Sequence, residues 1–454
     1  MRHRYAALVA LLAIAAGSPS GAGEISSRAE SITVTLGGDL IGPVHPMNRR
    51  SDPQFFEIAE LFRSADVGFV NQENSVFDLK GFAGYPAAET GGGYPLRYAA
   101  HAADLRDMGA TLLSVANNHA SDFGPEGVVA TLKNLSDVGL VAGGTGVSDT
   151  AARGPVYLMT PKGAVALVAT ASTFPPASVA GPAIERHGTL SKARPGISAL
   201  HVRKVRLLPP SLFQMLESVG GPLAVREGTA IRIGDQLFRQ DRIAGIGWEV
   251  QPSDRDAILA SVEEANKRAE IVLFSIHAHE TAGDEEAPAV PFHPMVLQHA
   301  NEAPSPNDPR PAGFQVELFH AAIDRGADVV ARHGPHVIGG IEIYAGMPIF
   351  YGLGSLFLDF GGLRQFDTPS GETIVVPDSW FDSFVPVCEF HAGRVTGITL
   401  YPVAIEPGAG ERSGSPALAR GVRAQSILTQ LKNLSAPFGT HIEIAGDVGF
   451  VTLK

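Results

Sequence analysis

The chain has 454 residues, of which 44% are hydrophobic, and a formal net charge of −12. This length suffices for one large domain with insertions or for two ordinary domains. The acidic balance argues against nucleic acid or an anionic membrane surface as the main partner, because either would need a basic surface. The single cysteine, Cys388, excludes an intramolecular disulfide framework and a multi-cysteine metal site. Any metal would therefore be held mainly by His, Asp, Glu and Asn.

The first residues have the pattern of a secretory signal peptide. Arg2 and Arg4 precede an apolar stretch of about twelve residues, which small residues follow. The stretch is too short to span a bilayer, for which about 20 apolar residues are needed. We therefore predict that residues 1–22 are removed on export and that the mature protein is periplasmic or extracellular.

Short apolar runs alternate with helical patterns along most of the chain, which predicts an α/β domain over residues 31–405. Strands are predicted at residues 31–39, 67–70, 111–116, 139–142, 156–170 (a pair), 271–276, 328–331, 338–344 and 348–351. Helices are predicted at residues 54–63, 97–108, 124–138, 253–269, 315–325 and 417–431. The strands at 338–344 and 348–351 are expected to be the last of the core.

Two regions interrupt or follow this pattern. Residues 172–250 have poor periodicity and frequent Pro, Gly and Arg, so we interpret them as a long insertion that shapes the cleft. Residues 406–454 begin with a Gly/Ser-rich segment and are interpreted as a small C-terminal extension.

Polar side chains follow five of the predicted strands directly. In an open α/β sheet the loops at the carboxyl ends of the strands meet in one crevice, so these side chains are expected to converge there. Imidazole and carboxylate groups are ligands for zinc, manganese or iron, and about six of them suffice for two ions. The residues are Asp39, Glu73, Asn117, Asn118, His119, His277, His279, His333 and His336.

Each of these residues has a simpler interpretation when it is taken alone. Asp39 after two glycines suits a turn or a helix cap, and most loop glutamates such as Glu73 are solvated. The Asn117-Asn118-His119 segment suits a polar turn, because asparagine tolerates left-handed geometry. Histidine pairs in loops are often solvated. Their joint occurrence after successive strands favours one site.

The motifs that surround these residues resemble the successive motifs of the CapA family, whose members are linked to capsule and poly-γ-glutamate synthesis. The resemblance extends in order from about Ile32 to Phe360. Its motifs are Gly37-Gly-Asp39, Asn71-x-Glu73, Ala116-Asn-Asn-His-x-x-Asp122-x-Gly124, Gly143-Gly-Thr-Gly146, Arg194-Pro-Gly196, His277-x-His-Glu280, His333-Gly-Pro-His-Val337 and Pro348-Ile-Phe-Tyr-Gly-Leu-Gly354.

The CapA family is similar in turn to the calcineurin-like metallophosphatases. This implies a two-sheet α/β sandwich with a centre for one or two divalent ions, Mn, Zn or Fe. The resemblance also implies that His119 is the general acid and that Asp122 orients it. Asn117, His279, Glu280 and Arg332 are expected to contact the substrate. The metal ligands that the resemblance implies are Asp39, Glu73, Asn118, His277, His333 and His336.

Three positions depart from the pattern of these families. Ile41 stands where the metallophosphatases usually have a histidine, so one ion is expected to be weakly held or absent. Ser355 replaces an asparagine that is often found after the last motif. Arg332 stands before His333, where glycine is usual.

The leading hypothesis is hydrolysis of a phosphoester, amide or glycan linkage by a metal-activated water, with His119 protonating the leaving group. A different possibility is a non-catalytic accessory protein that binds an anionic polymer during its assembly or export, in peripheral contact with a membrane-bound synthesis complex. Arg194, Arg203, Arg206 and Arg332 could then line a channel for the polymer. A third possibility is a decayed hydrolase that keeps only the fold.

Overall fold

The computed structural model describes residues 31–42, 53–234, 236–242, 244–282, 309–367 and 373–453. The predicted signal peptide, residues 1–22, lies outside the described residues. The described helices are α1 Pro53–Arg63, α2 His101–Met108, α3 Gly124–Asp137, α4 Asp149–Arg153, α5 Pro210–Gly220, α6 Pro252–Asn266, α7 Gly313–Asp324 and α8 Gly421–Ser435. Within the described ranges, none of the helices is long and apolar enough to cross a bilayer.

The described strands are short in most loops and longer in the core. They are β1 Ile32–Ile41, β2 Val67–Gln72, β3 Ser75–Val76, β4 Leu96–Arg97, β5 Leu112–Ser114, β6 Val141–Gly143, β7 Thr145–Gly146, β8 Val156–Thr160, β9 Gly163–Ala171, β10 Glu185–Arg186, β11 Thr189–Leu190, β12 Gly196–Ile197, β13 Val202–Leu208, β14 Ala224–Glu227, β15 Ala230–Ile233, β16 Gln236–Gln240, β17 Gly245–Val250, β18 Ile271–His277, β19 Val329–His333, β20 Ile341–Tyr344, β21 Met347–Phe350, β22 Ser355–Leu358, β23 Gln365–Asp367, β24 Thr373–Val375, β25 Asp382–His391, β26 Arg394–Ile405, β27 Pro416–Leu418, β28 Ile442–Ala445 and β29 Val448–Val451.

Two sheets form the centre of the protein. The larger sheet has the order β28-β29-β26-β25-β1-β2-β5-β6, with β22 beside β1 and β27 beside β26, and the smaller has the order β20-β21-β19-β18-β9-β8. Leu36 and Phe69 of the larger sheet belong to the same buried cluster as Leu273 and Val329 of the smaller sheet. The sheets therefore pack face to face, and the predicted two-sheet α/β sandwich is confirmed.

Helices cover the outer faces of both sheets. Phe62 of α1 and Leu105 of α2 pack with Val70 on the larger sheet. On the smaller sheet, Val262 of α6 and Phe319 of α7 pack with its apolar residues. Burying both faces explains why the central strands are almost continuously apolar and do not alternate.

The central strands of each sheet run parallel, and this direction positions the site. β1 pairs in parallel with β2, and β2 with β5, in the larger sheet. In the smaller sheet, β18 pairs in parallel with both β9 and β19. Loops at the carboxyl ends of parallel strands lie at one edge of a sheet, so the polar residues that end these strands are brought together.

The sequence analysis was wrong about where the core strands end. The long strands β25 and β26 form a hairpin, and β25 pairs antiparallel with β1 at the centre of the larger sheet. Residues 382–405 are therefore part of the core. The hairpin loop consists of Ala392 and Gly393, which both have positive φ, as a tight two-residue turn between twisted strands requires.

The insertion contains more regular structure than its sequence indicated. Strands β13 to β17 form a five-stranded sheet of their own, with a small apolar cluster of Val205, Ala230 and Leu237. The C-terminal segment extends the larger sheet, because β27 and β29 both pair with β26. Ile427 and Leu431 of α8 are buried in the main core.

Candidate metal centre

Asp39 lies in the middle of the site because two chain segments approach each other unusually closely. A Cβ atom on Gly38 would lie 1.9 Å from the carbonyl oxygen of Gly354, so only glycine fits there. This approach allows the backbone N–H of Asp39 to donate to Gly354 O over 3.1 Å. The Gly37-Gly38-Asp39 motif thus places a fully buried carboxylate between the two sheets.

Asp39 contacts residues from both sheets. Asn71 Nδ2 donates to Asp39 Oδ1 over 2.8 Å, and His333 Nδ1 lies 3.4 Å from the same oxygen. The backbone N–H of Gly334 donates to Asp39 Oδ2 over 3.0 Å, and His336 Nδ1 lies 3.1 Å from that oxygen. Donors from β2 and from the loop after β19 therefore surround one carboxylate.

The turn that carries His336 depends on unusual backbone geometry. Gly334 has a φ of 118°, and a Cβ atom there would meet the His279 ring at 2.7 Å. His336 itself has a φ of 58°, which is uncommon for a residue other than glycine and marks a position held by its surroundings. Its ring is held between Asp39, Ser355 Oγ at 3.1 Å and the edge of Trp380.

Carboxylate and imidazole groups converge in three overlapping sets within the described part of the chain. In each set the ligand atoms lie within 4.8 Å of one another and all residues are buried. The sets are Asp39, His277 and His333; Glu73, His277 and His279; and Asp39, Glu73 and His336. Four imidazoles and two carboxylates are a donor set that suits Zn, Mn or Fe.

The protonation states also fit a divalent ion. Burial acts to raise the pKa of Asp39, but hydrogen bonds with His333 and His336 outweigh it and hold the pKa well below the usual value. Burial lowers the pKa of His277 well below its usual value, and burial also lowers the pKa of His333. An ionised aspartate and neutral imidazoles are the forms that bind metal, because a bound proton competes with the ion.

His119 and Asp122 form a second group on the loop between β5 and α3. His119 Nδ1 lies 2.8 Å from Asp122 Oδ2, and the backbone N–H of Gly91 donates to Asp122 Oδ1 over 2.7 Å. The carboxylate thus fixes the imidazole ring and occupies Nδ1. Nε2 is left as the ring nitrogen that can exchange a proton with a bound molecule.

Asn117 and Asn118 connect this loop to the rest of the site. Asn117 Nδ2 donates to Asn71 Oδ1 over 3.3 Å, and Asn71 in turn donates to Asp39. Asn118 Nδ2 donates to Gly91 O, whereas its buried Oδ1 has no hydrogen-bond partner among the described residues. A buried amide oxygen without a donor is suited to a cation, as the sequence analysis expects for Asn118.

Glu280 and Arg332 are engaged with the protein itself. Ser172 and Thr173 donate their hydroxyl hydrogens to the Glu280 carboxylate over 2.7 and 3.1 Å. The buried Arg332 guanidinium donates to the carbonyl oxygens of Ala278, Glu280 and Tyr351 over 2.8 to 3.0 Å. These contacts fix the loop that carries His277 and His279, so the geometry gives no support to the predicted role of Glu280 and Arg332 in substrate binding.

The position of Ile41 is closed to a metal ligand. Ile41 is buried in an apolar cluster with Val337, Leu358, Trp380 and Phe381. Among the described residues of this cluster, none offers a carboxylate or imidazole. The side chains that complete the site therefore come from other strand ends.

Sequence reasoning missed two residues that contact the centre. Asn71 joins Asp39 to the His119 loop, and Ser275 Oγ lies 2.8 Å from His333 Nε2. Ser275 lies two residues before His277 on β18 and so shares its face of the sheet, and Asn71 lies two residues before Glu73, which directly follows β2. This spacing of two residues is the feature of the sequence that could have identified both residues as part of the site. His279, which was predicted to contact the substrate, also lies in one of the sets of possible ligands.

Comparison with known proteins identifies the family. The sequence matches the family described as "Bacterial capsule synthesis protein PGA_cap" over residues 33–291 and 296–359. The chain belongs to this family. The match includes every residue of the PGA_cap centre described above, from Asp39 to His336, and the predicted CapA resemblance is confirmed.

Relatives within and near the PGA_cap family differ in how much of the chain they share. Protein y4sH of Sinorhizobium fredii (strain NBRC 101917 / NGR234) is 32% identical over 93% of this chain and 94% of its own length. The "PGA biosynthesis protein CapA" of Bacillus subtilis (strain 168) is 25% identical over 58% of this chain and 47% of its own length. A phosphatase structure from Mycoplasma pneumoniae gives a TM-score of 0.36 at 11% identity, covering 83% of this chain and 94% of that one. This last likeness is too loose to bear on activity.

Proposed function

We propose that this protein is an exported, metal-dependent hydrolase that cleaves a phosphoester or amide bond during the synthesis of an anionic bacterial capsule polymer. The observation that carries the proposal is the convergence of buried carboxylates and imidazoles on Asp39, linked through Asn71 and Asn117 to the His119–Asp122 pair. Such a site combines ligands for a Lewis acid with a separate, oriented proton donor.

Different residues of the chain have separate roles in this proposal. Asp39, Glu73, His277, His333 and His336, with Asn118, would hold one or two divalent ions. Such ions polarise a phosphoryl or carbonyl oxygen and make a water molecule acidic enough to react near neutral pH. His119 donates a proton from Nε2 to the leaving group, and Asp122 keeps Nδ1 occupied so that the ring cannot turn away.

Metal analysis and a substrate screen test this proposal. We expect the protein purified without chelators to contain Zn, Mn or Fe and to hydrolyse nitrophenyl phosphoesters or a γ-glutamyl anilide. His119→Ala should lower kcat by about 10²–10⁴ at unchanged metal content, because general acid catalysis typically contributes that much. His441→Ala is the matched control, since His441 is exposed and its ring makes no contact with the site. A protein that binds no divalent ion would contradict the proposal.

The polymer is proposed from the chemistry of the site and from the name of one relative. The Bacillus subtilis relative is named for PGA biosynthesis, and we propose a poly-γ-glutamate type of chain as the substrate. Its amide bonds are compatible with a metal-activated water. Incubation of the purified protein with poly-γ-glutamate, followed by size analysis, should show shortened chains that His119→Ala does not produce.

Export is proposed from the pattern of residues 1–22. Expression in a bacterium, fractionation and N-terminal sequencing should find a mature protein outside the cytoplasm that lacks this segment. A cytoplasmic protein that keeps Met1 would contradict export.

The accessory role stays open as an alternative. In that case, deletion of the protein would abolish the polymer, and His119→Ala or metal-site variants would restore it, because catalysis would be dispensable. Contact with a membrane-bound synthesis complex also stays a prediction.

A further inference from the structure

The two ring nitrogens of His277 face different groups. Nδ1 lies 3.2 Å from His333 Nδ1, on the side of Asp39. Nε2 lies 2.9 Å from His279 Nε2 and 3.8 Å from Glu73 Oε1. The imidazole of His277 therefore separates two positions where donors converge.

Most donors can be divided between these positions, and Glu73 lies within reach of both, because it also groups with Asp39 and His336. Asp39, His333 and His336 are close to one another on the Nδ1 side, through the 3.4 and 3.1 Å approaches of the two imidazoles to the carboxylate. His279 occurs in just one of the three sets of possible ligands among the described residues, that with Glu73 and His277. Loss of His279 would leave two donors at that position and would leave the Asp39 position complete.

The surroundings of Asp39 decide on which side a second ion can lie. Among the described residues, Ile41 packs with apolar residues, including Leu358 and Phe381, which offer no ligand atom. On the side of His279, both nitrogens that approach each other at 2.9 Å are buried, and Glu73 is buried beside them. Two imidazole nitrogens and one carboxylate are the three protein ligands of many catalytic zinc sites.

The backbone of His279 is also fixed. Its N–H donates to Thr173 Oγ1 over 2.9 Å, and Thr173 in turn donates to Glu280. Arg332 holds the carbonyl oxygens of Ala278 and Glu280 on either side. Supporting contacts of this kind orient metal ligands and raise their affinity.

We infer that Glu73, His279 and Nε2 of His277 form a second ion position that binds Zn²⁺, distinct from the position at Asp39, His333 and His336. This inference rests on the proposed metal-dependent function and adds to it one ligand, His279. The protein then binds two ions, although Ile41 led us to expect one to be weak or absent.

Titration of chelator-treated protein with Co²⁺ and Zn²⁺ tests the inference, with visible absorption and calorimetry as readouts. The wild type and the exposed control variant His441→Ala should each bind two equivalents. His279→Ala should bind one, with the affinity for the second lowered more than about 100-fold, beyond the 10–100-fold typical of supporting residues. Two equivalents of undiminished affinity in His279→Ala would overturn the inference.

Anomalous diffraction from wild-type crystals soaked in Zn²⁺ covers the case in which His279→Ala does not fold. A second peak within coordination distance of His279 Nε2 supports the inference. A single peak at Asp39 overturns it and leaves the proposed function standing. No bound ion in either experiment overturns both.

Discussion

At the scale of single residues, Arg332 shows how one side chain can support the backbone around a site. Its guanidinium satisfies three buried carbonyl oxygens, two of which flank His279. A sequence cannot reveal this role, because the direction of the guanidinium depends on strands that are distant in the chain. Because Arg332 directly precedes His333, a contact with the substrate was the role expected from the sequence.

Replacement of Arg332 should therefore lower stability and not only activity. We expect Arg332→Lys to lower the free energy of unfolding by about 2–4 kcal/mol, since a lysine cannot serve three acceptors in a fork and leaves buried carbonyls unsatisfied. Urea unfolding measures this change. Arg325→Ala is the control, because its half-exposed pair with Glu263 is worth at most about 1 kcal/mol. Equal effects of the two substitutions would argue against the role of Arg332.

Asp122 allows a test at the same scale that leaves the ligands intact. Asp122→Asn keeps the shape but removes the charge that fixes His119 Nδ1 at 2.8 Å. We expect kcat to fall about 10-fold or more, but by less than the ~10²–10⁴ expected for loss of the acid itself, while bound metal stays constant. Steady-state kinetics and elemental analysis on the same samples separate these effects. Loss of metal in this variant would instead assign Asp122 to the structure of the centre.

At the scale of elements, the parallel strands that carry the ligands could be predicted because each is a short apolar run that ends in a polar residue. The hairpin β25–β26 was missed, although it lies beside β1 and within the predicted domain, because the family motifs end near Phe360 and the core strands were expected to end at residue 351. The strands of the insertion were missed for another reason. Segments such as Val202–Leu208 carry several basic residues and are half-exposed, so they have no clear apolar period.

A substitution in the loop of the β25–β26 hairpin should raise the stability of the protein. Ala392 has a φ of 51°, a conformation that costs an alanine roughly 1 kcal/mol and that asparagine adopts more readily. We expect Ala392→Asn to raise the free energy of unfolding by a few tenths to about 1 kcal/mol. Ala392→Val should lower it, because a β-branched residue is strained at this φ. Urea unfolding of both variants measures these changes. A decrease in stability for Ala392→Asn, or an increase for Ala392→Val, would refute the assigned loop geometry.

The residue directly before β19, Asp328, carries a carboxylate that makes the stability depend on pH. Burial raises the pKa of Asp328 to about 7, although a hydrogen bond from the Val272 N–H opposes the shift. The folded state then binds more protons than the unfolded state between about pH 4 and pH 7, so stability falls as pH rises through this window. Asp328→Asn should flatten that fall, as measured by unfolding of variant and wild type in the same buffers. An unchanged slope would contradict the raised pKa.

At the scale of the whole molecule, the ligands tie the two sheets together. Asp39 lies in β1 and Glu73 follows β2 of the larger sheet, whereas His277 and His333 end strands of the smaller one. The sandwich buries two carboxylates and four imidazoles close to one another. An ion shared by these groups would stabilise the folded state alone, because the unfolded chain does not bring them together.

Removal of metal should therefore lower the stability of the entire domain. An ion present at 100 times its Kd adds about 2.7 kcal/mol to the free energy of unfolding. We expect chelator to lower the Tm of the wild type and of His441→Ala, and added Zn²⁺ to restore it. His333→Ala, which lacks a ligand of the Asp39 position, should show a smaller difference between the two conditions. If chelator removes the metal and the Tm of the wild type does not change, the ion does not join the sheets, and the cluster is held by its own hydrogen bonds.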